Sequence, residues 1–162
     1  MVKTAFLFIL LYPGFVLAHG GKTHSEKEKV SEKPVDSFMS AYKSINENYK
    51  VNAAKIFEAK CFDCHSSKTS YPWYYQIPGV NLLMNSHIKE AREHIDMTNG
   101  FPFKGHETPL ADLRELEKTI LNSSMPPWYY TPFHKNAKIT PAEQKTVLKW
   151  IRESIETLKE LK

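Results

Sequence analysis

Residues 61–65 read Cys-Phe-Asp-Cys-His and hold both cysteines of the 162-residue chain. Two thiols two residues apart, followed at once by an imidazole, restrict the fold more than any other stretch. Upstream, Phe38, Tyr42, Ile45, Tyr49, Ala53, Ile56 and Phe57 recur in steps of three and four. That is a helical period, and it predicts a helix over Val35 to Lys60 that runs straight into Cys61.

On a helical turn this gap sets two sulfurs at the separation of two vinyl groups along one porphyrin edge. The next residue then lies beneath the iron. Cys-x-x-Cys-His is accordingly the attachment signature of c-type haem. The expectation is one covalent haem c on Cys61 and Cys64, with His65 as the proximal iron ligand. Three rivals fit less well. A thioredoxin-like redox pair needs a βαβ setting, and no strand-period segment of useful length is visible. A structural disulfide rarely closes so short a loop. A zinc site needs more thiols or a histidine pair at metal spacing.

The remaining pattern is helical. Met84, Ile88, Ala91 and Ile95 predict a second helix from Asn81 to Met97, and Leu113, Leu116, Ile120 and Leu121 face inward on a third, Leu110 to Asn122. Thr140, Pro141 and Glu143 form the start of a fourth with a capping box. Its stripe is Val147, Leu148, Ile151, Ile155 and Leu158, with Trp150 at the flank. Residues 66–78, 98–109 and 123–134 read as irregular loops from their Pro, Gly and aromatic content. The fold class is all-α, short helices joined by long aromatic loops. Such loops argue against a compact domain unless a large flat apolar group gives them a surface to pack on.

The N-terminus reads as a cleavable export signal over 1–18: Lys3, an apolar run from Ala5 to Val16, and Ala18 as a small residue before the cut. The run is too short to span a bilayer, and Pro13 and Gly14 interrupt it. No membrane span is expected once it is removed. Residues 19–34 have one apolar side chain, Val30, and read as a polar disordered linker. The domain proper is 35–162, and the expected location is the periplasm. Cleavage after Ala18 makes His19 the first residue, and its amine and imidazole give a weak Cu(II) chelate with His24 nearby. A net charge of +4 is too mild to point to nucleic acid. It suits weak, salt-sensitive docking of redox partner proteins.

For the second axial ligand the leading candidate is Met125, which precedes Pro126 and Pro127 and lies 60 residues after His65. Methionine with histidine is a common axial pair in electron-transfer cytochromes, and the prolines stiffen its loop. Met84, Met97, His87, His94, His106 and His134 stay open as alternatives. A lone methionine also serves as core filler.

Cys61, Cys64, His65 and Ser66, then Thr69, Pro72, Trp73 and Tyr74, then Glu90, Ala91 and Arg92, then Met125, Pro126 and Pro127, and last Trp150 form a combined pattern. It resembles the small haem-binding domain family of bacterial exported cytochromes, over roughly Val51 to Ile155. The resemblance implies a cytochrome c-like helical fold and a distal Met-Pro-Pro loop that brings Met125 to iron. Trp73, Tyr74, Tyr75, Trp128, Tyr129 and Tyr130 flank the two ligand segments as a haem envelope. Arg92 pairs either with a haem propionate or with Glu90 or Asp96 on the surface. The leading function is a monohaem one-electron carrier and not a catalyst. The alternatives are a haem-based gas sensor with a displaceable distal ligand, and a peroxidase-type enzyme.

Overall fold

The computed structural model describes residues 35–161. The expected signal segment, the linker and His19 lie outside the described residues. In chain order the elements are α1 (Val35–Asn52), α2 (Ala54–Lys60), α3 (Phe62–His65), a single 3-10 turn (Trp73–Gln76), α4 (Val80–His94), β1 (Ile95–Asp96), β2 (Lys104–Gly105), α5 (Pro109–Asn122) and α6 (Pro141–Lys159). Among the described residues the one sheet is the antiparallel β1–β2 pair, two residues per strand. The fold is all-α, as expected.

The helix expected over 35–60 is present but jointed at Ala53. Its small side chain is fully buried, and the ladder carries on through the joint: Ala53 N–H donates to Tyr49 at 2.9 Å and Phe57 N–H to Ala53 at 3.1 Å. A second joint falls at Cys61, whose N–H still donates to Phe57 at 2.8 Å. The single turn of α3 follows, held by His65 N–H on the Cys61 carbonyl at 2.9 Å.

α6 packs against both α1 and α5, and α3 packs on α4. The start of α6 is as expected. Thr140 Oγ1 accepts from Glu143 N–H at 3.3 Å, and Glu143 Oε2 accepts from Thr140 N–H at 2.8 Å. Lys60, at the end of α2, donates to the Asn136 carbonyl at 2.6 Å and pairs with Glu143 at 3.5 Å. The end of α2 is thereby tied to the start of α6.

Four expectations need correction. Trp150 is not at the flank of α6 but in the middle of the core, 1% exposed, with ring centroids 5.2 Å from Tyr49 and 5.7 Å from Phe57. The buried stripe is Val147, Trp150, Ile151, Ser154, Ile155 and Leu158. It keeps a three-four alternation because Ser154 satisfies its hydroxyl on the Trp150 carbonyl at 2.8 Å. Leu148 lies only at its edge. On α5, Leu110 joins Leu113 and Ile120 in the core, while Leu121 is 54% exposed; one residue beyond Ile120, it is rotated about 100° off the buried face.

The second helix stops at His94, three residues early. Ile95 turns extended and pairs with Gly105, and Met97 is a core residue at 1% exposure. Residues 98–109 are irregular apart from β2, as expected, yet Phe101 and Phe103 are buried within the ring cluster around Trp150. Gly100 makes this entry possible. It sits at φ +77°, and a Cβ there would lie 2.6 Å from Asn46 Oδ1, the atom that accepts from Phe101 N–H at 2.9 Å.

Truncating Trp150 to Ala should destabilise the protein by about 3–5 kcal/mol, the usual range for an aromatic removed from a packed core. Leu121→Ala should cost no more than about 0.5–1 kcal/mol. Denaturant unfolding of the two variants checks the contrast, and comparable losses would contradict the corrected helix faces.

Candidate functional site

Cys61 and Cys64 are free thiols, each partly buried, the first at the joint that opens α3 and the second within that turn. Burial pushes the Cys61 thiol up to about 12, with neighbouring Cys64 adding to it. Burial, then Asp63, raises Cys64 as well. A redox-active Cys-x-x-Cys pair needs a lowered thiol pKa, so these two do not suit thiol–disulfide exchange. Among the described residues no three His, Cys, Asp or Glu side chains converge on a metal position, and the zinc alternative has no ligand set.

His65 is held from one side. Its Nδ1 lies 3.1 Å from the Ala91 carbonyl and 3.0 Å from the Ile95 carbonyl. Carbonyl oxygens only accept, so Nδ1 carries the hydrogen and Nε2 is left with its lone pair free. A metal-ligating histidine characteristically has its other nitrogen fixed this way. Burial lowers the His65 pKa and outweighs the two carbonyls, which keeps the ring neutral and able to donate to a metal. The main chain repeats the tie, with Met97 N–H donating to the His65 carbonyl at 2.7 Å and Ser67 N–H to Thr98 Oγ1 at 2.9 Å. Ser66, fully buried, donates to the Phe62 carbonyl at 2.8 Å and accepts from Lys68 N–H at 3.0 Å.

The second half of the site is the α5–α6 connection. Met125 lies just beyond Ser123, the left-handed C-cap of α5, and is 50% exposed. Five residues on, the Tyr130 hydroxyl donates to Asp63 Oδ2 at 3.0 Å, while Asp63 Oδ1 accepts from Ser70 N–H at 2.9 Å. Tyr130 also stacks flat on His134, with centroids 3.6 Å apart. His134 Nδ1 donates to the Tyr130 carbonyl at 3.0 Å, which leaves Nε2 to accept from the Tyr74 hydroxyl at 3.4 Å. The Met125 loop is thus fastened to a side chain standing between the two cysteines. Burial, together with the Asp63 carboxylate, raises the Tyr130 pKa.

The expected aromatic envelope divides in two. Tyr74 and Tyr130 are inside this network, whereas Trp73 and Trp128 are about 80% exposed. Tyr71, Ile77, Leu82, Leu83, Tyr129 and Phe133 are exposed as well. Ring contacts join the two stretches, Tyr74 to Phe133 at 5.9 Å and His87 to Tyr129 at 5.7 Å. Large apolar side chains left open on both sides of a ligand turn mark a binding surface. They fit a flat apolar group carrying a metal. Arg92 is engaged by Asp96, with Nη2 at 2.7 Å and Nε at 2.9 Å. Of the other candidate ligands, Met97 is in the core, His134 has both nitrogens occupied, and His94 and His106 face each other with centroids 5.1 Å apart. Met84 is partly buried on α4.

Sequence reasoning missed Asp63, whose only signal was a carboxylate placed between the cysteines. It also missed the Ala91 and Ile95 carbonyls, which have no side-chain signature at all.

A neutral, one-sidedly anchored histidine beside two thiols, under an open aromatic surface, defines a haem protein. A family model described as a haem-binding domain matches residues 21–153, and the chain belongs to that family. It is similar to the cytochrome c peroxidase Ccp of Escherichia coli (strain K12), 29% identical over 110 residues. The match takes in 67% of this chain but only 23% of that protein. No solved structure matches.

Two outcomes test the site's supports. Tyr130→Phe should cost about 1.5–3 kcal/mol, the range for a hydrogen bond to a charged group, read by denaturant unfolding of the holoprotein. Burial pushes the Asp96 carboxyl up, but Thr98 and Arg92 outweigh it and hold it below its usual value. Its stabilisation is therefore complete above about pH 3.9 and is lost as pH falls through the lower folded-state value. Asp96→Asn should flatten that part of the acid stability profile. An unchanged acid limb would show that Asp96 contributes nothing there.

Proposed function

We propose that this chain is an exported monohaem c-type cytochrome that carries single electrons in the periplasm. Cys61 and Cys64 would hold the haem through thioethers, and His65 Nε2 and Met125 sulfur would be its iron ligands. The observation that carries the reading is the double carbonyl anchor on His65 Nδ1, next to two unpaired cysteines on one turn. Bound haem supplies an iron that alternates between ferrous and ferric states. With His65 and Met125 both supplied by the chain, rearrangement between those states would stay small. They also exclude water, through Tyr74 and Tyr130. The exposed rings of Trp73 and Trp128 would be available to cover bound haem, and redox partner proteins would dock weakly through surface charge. No described helix is long and apolar enough to cross a membrane. Export follows from the signal segment, with cleavage after Ala18.

One observation favours a second reading. Met125 is half-exposed on a loop, which suits a distal ligand that a small molecule displaces, as in a gas sensor or a peroxidase-type enzyme. The Escherichia coli relative is named as a peroxidase, but this chain matches less than a quarter of it. That supports a shared haem-bearing piece more than a complete peroxidase.

Intact mass of the exported protein should equal the chain from His19 plus one haem. A bare chain mass from a host with working cytochrome maturation would sink covalent attachment. The ferric protein should show the weak red charge-transfer band of a thioether on iron. Met125→Ala should abolish that band, lower the reduction potential and open the iron to CO. An unchanged spectrum and potential in the variant would falsify Met125 ligation. CO binding to the reduced wild type would favour the second reading.

A further inference from the structure

The β1–β2 register sets Ile95 opposite Gly105 and Asp96 opposite Lys104. One step outward along the same antiparallel ladder, His94 faces His106. Their ring centroids are 5.1 Å apart and the rings are inclined at 63°. Both side chains are exposed. Close approach of the strands depends on Gly105, where a Cβ would collide with the His94 carbonyl.

We propose that His94 and His106 form a second metal site, a two-imidazole chelate for a first-row divalent ion, with copper(II) preferred. The spacing is the first support. With about 2.0–2.1 Å from metal to each nitrogen, two imidazoles on one ion have centroids roughly 4.5–5.2 Å apart, from square-planar to tetrahedral angles. The observed centroid distance of 5.1 Å falls within that span. The second support is orientation. His106 Nδ1 donates to the Glu93 carbonyl at 3.2 Å, which fixes the ring and leaves Nε2 as the ligating nitrogen.

Charge is the third support. Glu107 Oε1 lies 3.9 Å from His106 Nε2. Lys89 offsets Glu93 nearby, at 3.7 Å. Among the described residues no third His, Cys, Asp or Glu side chain is placed to complete a protein ligand set, so water fills the remaining positions. Imidazole donors with open positions suit copper(II), which heads the affinity order of the divalent series.

The test is calorimetric titration of the holoprotein with copper(II) chloride and, separately, zinc(II) chloride, on wild type, His94→Ala and His106→Ala. The N-terminal segment carries His19 and His24, so the difference between wild type and variants is the readout, not total copper bound. Each substitution should weaken one site on the order of 100-fold, the gain expected when two linked ligands act together. The double variant should lose little more than either single one. The electron paramagnetic resonance signal of bound copper should show nitrogens from two imidazoles in wild type and lose one in each variant. An unchanged haem spectrum confirms that the variants remain folded. Equal affinity in wild type and both variants overturns the proposal, and so does a loss in one variant only. A changed haem spectrum in either variant overturns the proposal too, since it would make that histidine the iron's distal ligand.

Discussion

The site rests on His65 Nδ1 reaching two carbonyls at once. Ala91 O is the acceptor of the last α4 backbone bond, from Ile95 N–H, and Ile95 O belongs to the first residue after the helix. Both point at one nitrogen only because α4 stops at His94 and the chain turns extended. A helix carried on to Met97 would turn the Ile95 carbonyl along the helix axis and take it off the histidine. From this stop follow the β1–β2 bridge, the loop across it, and the delivery of Phe101 and Phe103 into the core against Trp150. The orientation of His65 and the assembly of the core are therefore set by the same helix end.

This also explains what the sequence revealed and what it hid. The capping box of α6 is local chemistry between Thr140 and Glu143, and it was legible. So was the period from Phe38 to Phe57, because a wide apolar stripe survives a joint at Ala53. The end of α4 was not legible. Ile95 continues the three-four spacing and Met97 is apolar, so side-chain pattern extends the helix, while the force that ends it acts on backbone carbonyls. Trp150 was misplaced because its stripe passes through Ser154, a polar residue that satisfies itself within the helix. Phe101 and Phe103 looked like loop by backbone criteria, and their backbone mostly is. The cysteines and His65 stood out as a unit because all three fall within one five-residue stretch. Asp63 lay in view and carried no pattern to mark its use.

The distribution of apolar surface gives the molecule two unlike ends. Around Trp150 the rings of Tyr49, Phe57, Phe101 and Phe103 enclose one another and need nothing from outside. Around Cys64 the rings of Trp73, Trp128 and Phe133 stand open. The polar links there, Asp63 to Tyr130 and Tyr74 to His134, hold the loops in place without closing them. A domain arranged this way can keep its core intact while its aromatic face responds to whatever it holds.

The bond between Asp63 and Tyr130 spans 67 residues of chain. The turn from Cys61 to His65 closes over four. Closure entropy grows with the length of chain enclosed, and local contacts are the faster to form. The cysteine turn therefore takes shape early, and the Tyr130 segment arrives over it late. The chain thus carries a built-in sequence of events: the Cys61–His65 turn is presented first and covered last.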